Sequence, residues 1–178
     1  VYLKKNMKIK SVPLIVSLLF ITFFIIFFKG LKNSNIYVPN INYEKEIPSF
    51  TTQFFDTNIK INSDEIFKED YYYLINIWSS WCLPCREEHR FLMELNKEKN
   101  LKIIGFNYKD NIKDAKNFLD ELKNPYSKIF LDKDGLIAIE WGAYGVPESF
   151  LIHNKKIIKK VIGPLNTNFV DEIKRLIK

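Results

Sequence analysis

Leu74-Ile75-Asn76-Ile77-Trp78-Ser79-Ser80-Trp81-Cys82-Leu83-Pro84-Cys85 decides the reading of this chain of 178 residues, because it holds both of the 2 cysteines in the sequence. The apolar run ending at Trp78 reads as a buried strand, and the segment from Arg86 to Asn96 reads as a helix. The first cysteine is therefore delivered to a loop at a helix N-terminus. Unpaired backbone N–H groups and the positive end of the helix dipole stabilise a thiolate there, which holds the Cys82 thiol below the pKa of a free cysteine. A thiolate is the attacking species in disulfide exchange. A C-x-x-C lodged between strand and helix is thus read as a dithiol redox site.

Two other uses of the pair fit less well. A tetrahedral zinc site needs four ligands, and only His89 and His153 stand beside the two thiols. His89 lies four residues past Cys85 on the same predicted helix and His153 follows a strand in a turn, so neither repeats a finger spacing. A purely structural disulfide across so short a loop would remove little entropy from the unfolded chain. No metal and no cofactor are expected, apart from a redox-active Cys82–Cys85 disulfide.

From Ser11 to Phe28 no residue is charged, and as a helix this segment spans about 27 Å, close to the roughly 30 Å hydrocarbon core of a bilayer. Lys4, Lys5, Lys8 and Lys10 precede it without an acidic residue, so the positive-inside rule leaves residues 1–10 cytoplasmic and sends everything after Lys29 across the membrane. A cleaved signal peptide would need small residues just beyond the apolar run, and Lys29-Gly30-Leu31-Lys32-Asn33-Ser34 offers no clean site. An uncleaved anchor over residues 11–28 is the preferred reading. The sequence starts at Val1 with Met7 close by, and positive charge precedes the apolar run from either start.

Charge follows the same division. Five of the 27 basic residues fall in the first thirty with no acid among them, which leaves 22 against 21 acidic residues in the rest. The formal net charge of +6 therefore belongs to the membrane flank. A basic nucleic-acid-binding surface is not implied.

Residues 29–46 are polar, rich in asparagine and without sustained periodicity, and read as a tether. Residues 47–178 make one ordinary domain, long enough to bury a core. Strand-like runs lie at Tyr73–Trp78, Leu101–Tyr108, Lys128–Leu131, Ser149–Ile152 and Lys156–Ile162. Ala115, Phe118, Leu119 and Leu122 form one amphipathic helical stripe, and Phe169, Val170, Ile173, Leu176 and Ile177 form another. His153-Asn154-Lys155 suggests a hairpin turn of undetermined type. The pattern predicts an α/β fold, a central mixed sheet flanked by helices on both faces.

Further residues carry chemistry. In Gly145-Val146-Pro147-Glu148 a cis Val146–Pro147 bond would turn the loop sharply and free the Val146 backbone to pair with an extended peptide, although an ordinary trans proline is strongly favoured for an X–Pro bond and the residues alone do not license cis. Asn76 lies on an otherwise apolar strand, either as a hydrogen-bond partner or as a tuning group that, unlike a carboxylate, does not titrate. Glu87, Glu88 and Glu148 could place negative charge near the dithiol and oppose thiolate formation. For Glu87 and Glu88 a solvated position in the first helical turn is the default. Trp81 borders Cys82 and is a candidate cover for it.

Taken together, Asn76-Ile77-Trp78-Ser79-Ser80-Trp81-Cys82-Leu83-Pro84-Cys85-Arg86-Glu87-Glu88-His89, Gly105-Phe106-Asn107-Tyr108-Lys109-Asp110, Asn124-Pro125-Tyr126 and Gly142-Ala143-Tyr144-Gly145-Val146-Pro147-Glu148-Ser149-Phe150 resemble the CcmG/DsbE thiol:disulfide interchange proteins of cytochrome c maturation. The Asn-Tyr-Lys-Asp and Gly-Val-Pro-Glu segments make the match specific. The resemblance spans roughly Ile47 to Lys178, and the N-terminal anchor fits the family too. It implies a thioredoxin-like domain behind one N-terminal transmembrane helix, held on the periplasmic face of the inner membrane. Such proteins reduce the cysteines of apocytochrome c, directly or through a thiol maturation protein, and are re-reduced by a membrane electron donor of the DsbD or CcdA type. By position, Cys82 is the nucleophile, Cys85 the resolving thiol and Pro147 the cis-proline, while Glu88 and Glu148 match acidic positions of the active-site groove. Asn76 stands where thioredoxin itself has an aspartate. Leu83 departs from the commoner residues between the cysteines, a position that helps set the redox poise. Trp81, Pro84, Asn76, Glu88, Val146, Pro147 and Glu148 are thus the expected binding and tuning residues around Cys82 and Cys85. A reductase for other extracytoplasmic clients and a redox-silent apocytochrome-binding scaffold are the alternatives.

Overall fold

The computed structural model describes residues 5–32, 45–67 and 71–178. The chain divides into two units, residues 1–40 and 41–178. In the first, α1 (Lys5–Lys32) contains the apolar span Val12–Gly30, 19 residues long and enough to cross a bilayer by length and composition. The helix runs beyond both ends of the expected 11–28 segment. Residues 33–44 of the expected tether lie outside the described residues.

The second unit is built on β1 (Lys45–Glu46), β2 (Thr51–Phe54), β3 (Lys60–Asn62), α2 (Ser63–Ile66), β4 (Tyr72–Trp78), α3 (Leu83–Leu95), β5 (Leu101–Tyr108), α4 (Ile112–Leu122), β6 (Lys128–Asp132), α5 (Leu136–Glu140), β7 (Glu148–His153), β8 (Lys156–Ile162) and α6 (Thr167–Leu176). The strands form one mixed sheet in the order β1-β8-β7-β4-β5-β6-β2-β3. β4, β5 and β6 run parallel, and the remaining pairings are antiparallel. The five expected strands are present within a residue or two of their expected ends. β1, β2, β3, α2 and α5 are additions. Lys45 and Glu46 pair with Ile157 and Lys156, so the sheet begins two residues before the expected domain boundary at Ile47.

β4 is apolar on both sides because it is covered on both sides. Leu74 and Trp78 face a core that includes Leu92, Leu95, Phe118, Leu119, Val170 and Ile173, from α3, α4 and α6. Tyr73, Ile75 and Ile77 face a second core with Phe106, Phe130, Ile137, Trp141 and Phe150. The crossovers β4-α3-β5 and β5-α4-β6 step the same way across the sheet, and a right-handed connection then puts both helices on one face. The hairpin after β7 turns at Asn154 and Lys155, with φ of 50° and 59°. Two left-handed residues in succession define a type I′ turn, here made without glycine.

Gly105 sits in β5 opposite Asn76 in β4. A Cβ there would lie 2.7 Å from Trp78 Nε1 and 3.0 Å from the Tyr126 ring. Both rings are buried and stacked on each other, so neither has room to give. We expect Gly105→Ala to destabilise the protein by about 1–3 kcal/mol through overpacking. Urea unfolding of the full chain in detergent measures this, and a wild-type midpoint would contradict it.

Candidate active site

The C-terminal end of β4 delivers the two cysteines. Cys82 is the N-cap of α3, and the Cys85 N–H donates to Cys82 Sγ at 3.1 Å. The helix therefore begins at Leu83, not at the expected Arg86, and takes in Cys85. Pro84 does not prevent this, since a proline in the first turn gives up no intrahelical hydrogen bond. The cysteines are joined in a disulfide with Cα atoms 5.3 Å apart. Residue exposure is 5 % for Cys82 and 2 % for Cys85, so Cys82, the expected nucleophile, is the more accessible of the two.

The loop ahead of Cys82 is clamped by Asp110. Its Oδ2 accepts from the Ser80 N–H at 2.6 Å and from Asn107 Nδ2 at 2.9 Å, and its Oδ1 accepts from Ser80 Oγ at 2.7 Å. The Trp81 indole N–H donates to Lys109 O at 3.2 Å, with Lys109 held at a φ of 44°. Trp81 remains 60 % exposed, an anchored apolar surface next to Cys82. The Asn107–Asp110 segment thus shapes the redox loop from the neighbouring strand.

On the same side of the sheet lies a buried carboxyl group. Glu88 follows Cys85 by three residues, on one face of α3. It is 1 % exposed, which corrects the expected solvated position; only Glu87 is exposed. Glu88 Oε1 accepts from Asn76 Nδ2 at 2.8 Å and Oε2 from the Leu165 N–H at 2.7 Å. Asn76 Nδ2 also donates to Ser149 Oγ at 3.0 Å, while Tyr126 OH donates to Asn76 Oδ1 at 2.8 Å. The amide has both of its ends engaged, so Asn76 is a hydrogen-bond partner, one of whose bonds acts on Glu88. Burial pushes Glu88 up to about 7, against the lowering effect of the Leu165 and Asn76 bonds. Burial, and then the Glu88 charge, hold the Tyr126 phenol well above its ordinary value, so it stays a donor.

The peptide bond Val146–Pro147 is cis. Glu148 opens β7 directly opposite Ile77 of β4, which places the Val146-Pro147 loop at the sheet end from which Cys82 emerges. Val146 packs against both cores and makes no backbone hydrogen bond among the described residues. Glu148 does not face the dithiol, contrary to the expectation that it would add charge there. Side chains directly opposite in an antiparallel pair share a face, so Glu148 lies with Ile77 in the second core while Ser149 lies with Asn76. There Glu148 is 2.7 Å from Lys160 Nζ, with both side chains 2 % exposed. His89 is buried on α3 with Nε2 on Lys123 O at 2.8 Å, and burial lowers its pKa.

Tyr126, Ser149, Lys160 and the Leu165 N–H were not singled out as site groups from the sequence. One of them had a signal. Adjacent strand residues point to opposite faces, so Lys159-Lys160 in β8 sends one lysine inward, whereas Ser149 meets Asn76 only through the register of β7 on β4.

Glu88 makes stability depend on pH. Its pKa in the folded state lies above that in the unfolded chain, so its contribution is full below about 4.5 and is lost as the pH rises through about 7. Glu88→Gln removes this dependence. The stability difference between variant and wild type is expected to move in favour of the variant by about 3 kcal/mol across that interval. Urea unfolding of the oxidised proteins at a series of pH values checks this, and parallel pH curves would contradict it.

Comparison with known proteins agrees with this geometry. The redoxin family matches residues 43–176. The chain is 50 % identical over 92 residues to the thiol:disulfide interchange protein CycY of Rhizobium leguminosarum bv. viciae, a match covering 51 % of this chain and 50 % of that protein. It is 32 % identical over 162 residues to the thiol:disulfide interchange protein DsbE of Allochromatium vinosum, covering 89 % and 88 % respectively. The structure of a DsbE-type protein from Chlorobium tepidum has a TM-score of 0.63 at 20 % identity, covers 76 % of this chain and 95 % of its own, and shares the thioredoxin-like fold. The chain belongs to the redoxin family, in its CcmG/DsbE branch of thiol:disulfide interchange proteins, and is a thiol-disulfide oxidoreductase.

Proposed function

We propose that the chain is a membrane-anchored reductase acting on the periplasmic side, which keeps the paired cysteines of apocytochrome c, or of a thiol maturation protein, reduced for haem attachment. The observation that carries the reading is the cysteine pair capping α3 beside a cis-proline loop, with the carboxyl group of Glu88 buried one helical turn further on. Lys4, Lys5, Lys8 and Lys10, ahead of the apolar span Val12–Gly30, support an anchor with residues 1–10 in the cytoplasm and the domain outside. Re-reduction falls to a membrane dithiol donor of the DsbD or CcdA type.

The exchange begins from the dithiol. The Cys82 thiolate attacks one sulfur of the client disulfide, a mixed disulfide forms, and the departing client thiolate takes up a proton. The Cys85 thiol then loses its proton and attacks Cys82 Sγ, which closes the Cys82–Cys85 disulfide and releases the second client thiol. Two electrons pass from the protein to the client. Glu88, with a pKa near 7, is poised to accept the Cys85 proton at neutral pH. Direction follows from charge. An ionised Glu88 opposes a thiolate nearby and so favours the disulfide form, which makes the reduced form a better donor. Trp81, Leu83 and Pro84 provide the exposed surface around the nucleophile, and the free Val146 backbone provides strand-like pairing for an extended client.

We expect Cys82→Ala to abolish exchange and Cys85→Ala to accumulate a mixed disulfide through Cys82, with apocytochrome c or its thiol partner as the trapped species by mass spectrometry. Trapping by the Cys82 variant would reverse the assignment, and a trapped set lacking c-type cytochrome components would redirect it to other clients. Glu88→Gln should slow resolution of the mixed disulfide about a hundredfold at neutral pH while leaving its formation near wild type. Stopped-flow measurement of the two phases separates these effects, and equal slowing of both would remove Glu88 from the proton step.

A further inference from the structure

Lys160 lies in β8, and the dithiol chemistry described above makes no use of it. Its side chain and that of Glu148 are each 2 % exposed, with Nζ 2.7 Å from Glu148 Oε2. The same ammonium donates to Gly142 O at 2.7 Å and lies 4.5 Å from the centre of the Tyr144 ring. The other Glu148 oxygen, Oε1, accepts from the Tyr144 N–H at 2.6 Å and the Gly145 N–H at 3.2 Å. One buried ion pair therefore holds three backbone groups of the residues that lead into Val146–Pro147. The carbonyl of Pro147 is in turn held by the Gly163 N–H at 3.0 Å, just after β8. The loop is fixed on both sides of Val146, and among the described residues neither the N–H nor the C=O of Val146 makes a hydrogen bond.

Stability does not explain such a pair, since desolvating two charges costs about as much as their attraction returns, and an apolar pair of the same size would serve as well. A buried ion pair does fix geometry, because few arrangements satisfy both charges at once. We infer that Lys160 is a positioning residue for client binding. Through Glu148 and Gly142 O it sets the loop 142–147 so that the Val146 N–H and C=O face an extended client peptide. The inference rests on the reading that Val146 pairs with the client backbone.

The test uses the full-length protein in detergent, reduced beforehand, in single turnover against two disulfides. One is a short peptide with an internal disulfide; the other is Ellman's reagent, which has no peptide backbone. Lys160→Met is expected to lower kcat/KM for the peptide about tenfold, equivalent to about 1.4 kcal/mol, while the rate with Ellman's reagent stays within about twofold. Lys160→Arg, which keeps the charge and its donors, should recover most of the peptide rate. Lys160→Met with Glu148→Gln leaves no lone buried charge, and it replaces the single variant if that one does not fold. Peptides N-methylated beside the reactive cysteine test the underlying pairing, and the slowing they cause in wild type should vanish in Lys160→Met. Equal losses on both disulfides, or an unchanged peptide rate, would overturn the inference and leave the Val146 pairing standing. No effect of N-methylation on wild type would overturn the pairing, and the inference with it.

Discussion

A carboxyl group shut away from water and, among the described residues, without a cation beside it is the constraint around which this site is organised. Glu88 is 1 % exposed, and its two oxygens accept from Asn76 on β4 and from the Leu165 N–H ahead of α6. Asn76 in turn needs Tyr126, which precedes β6, to orient its amide, and it donates to Ser149 on β7. A buried polar network is favourable only when every member is satisfied, so these four segments must meet at one register. The same register places β7, and with it the Val146–Pro147 loop, beside the end of β4. The placement of α3, which Cys82 caps, and of the Val146–Pro147 loop is thus tied to one acid and its partners.

The sheet keeps two buried acids apart and gives them different work. Glu88 approaches from α3 on the face that holds Asn76 and Ser149, where no lysine or arginine pairs with it among the described residues, and burial keeps it protonatable near neutrality. Glu148 starts β7 one residue before Ser149 and therefore points to the other face, where Lys160 neutralises it. One acid is left without an ion-pair partner among the described residues, three positions after Cys85 on α3. The other is fixed as a charge and holds backbone in place. Asp110 does for the loop ahead of Cys82 what Glu148 does for the loop ahead of Pro147. The two segments that make the family resemblance specific, Asn107–Asp110 and Gly145–Glu148, thus each place a loop-ordering carboxylate at one wall of the redox site.

Much of this was legible in the sequence where a periodic signal or a rare residue carried it. β4, β5 and the helix after Cys85 follow from long apolar runs and from the cysteine spacing, and the stripes of α4 and α6 follow from helical periodicity. β2 and β3 did not, because Thr51-Thr52-Gln53 and Lys60-Ile61-Asn62 are short and polar and become strands only by pairing with each other and with β6. α5 is a five-residue helix started by the carboxylate of Asp132, which accepts from the Ile137 and Ala138 N–H groups. Its apolar run has no period of its own to read. Glu88 was misplaced because the first turn of a helix favours exposed acids through the dipole, and burial there is a tertiary effect supplied by Asn76 and Leu165.

The most direct test of the account is the reduction potential of the Cys82/Cys85 pair in the full chain, equilibrated against defined thiol buffers. Reference points run from about −270 mV for thioredoxin to about −120 mV for the oxidant DsbA. A value toward the thioredoxin end is expected, because an ionised Glu88, three residues after Cys85 on α3, would oppose a thiolate and make the dithiol a donor. A value near that of DsbA would mean that the disulfide is the active form and that electrons flow from the client to this protein.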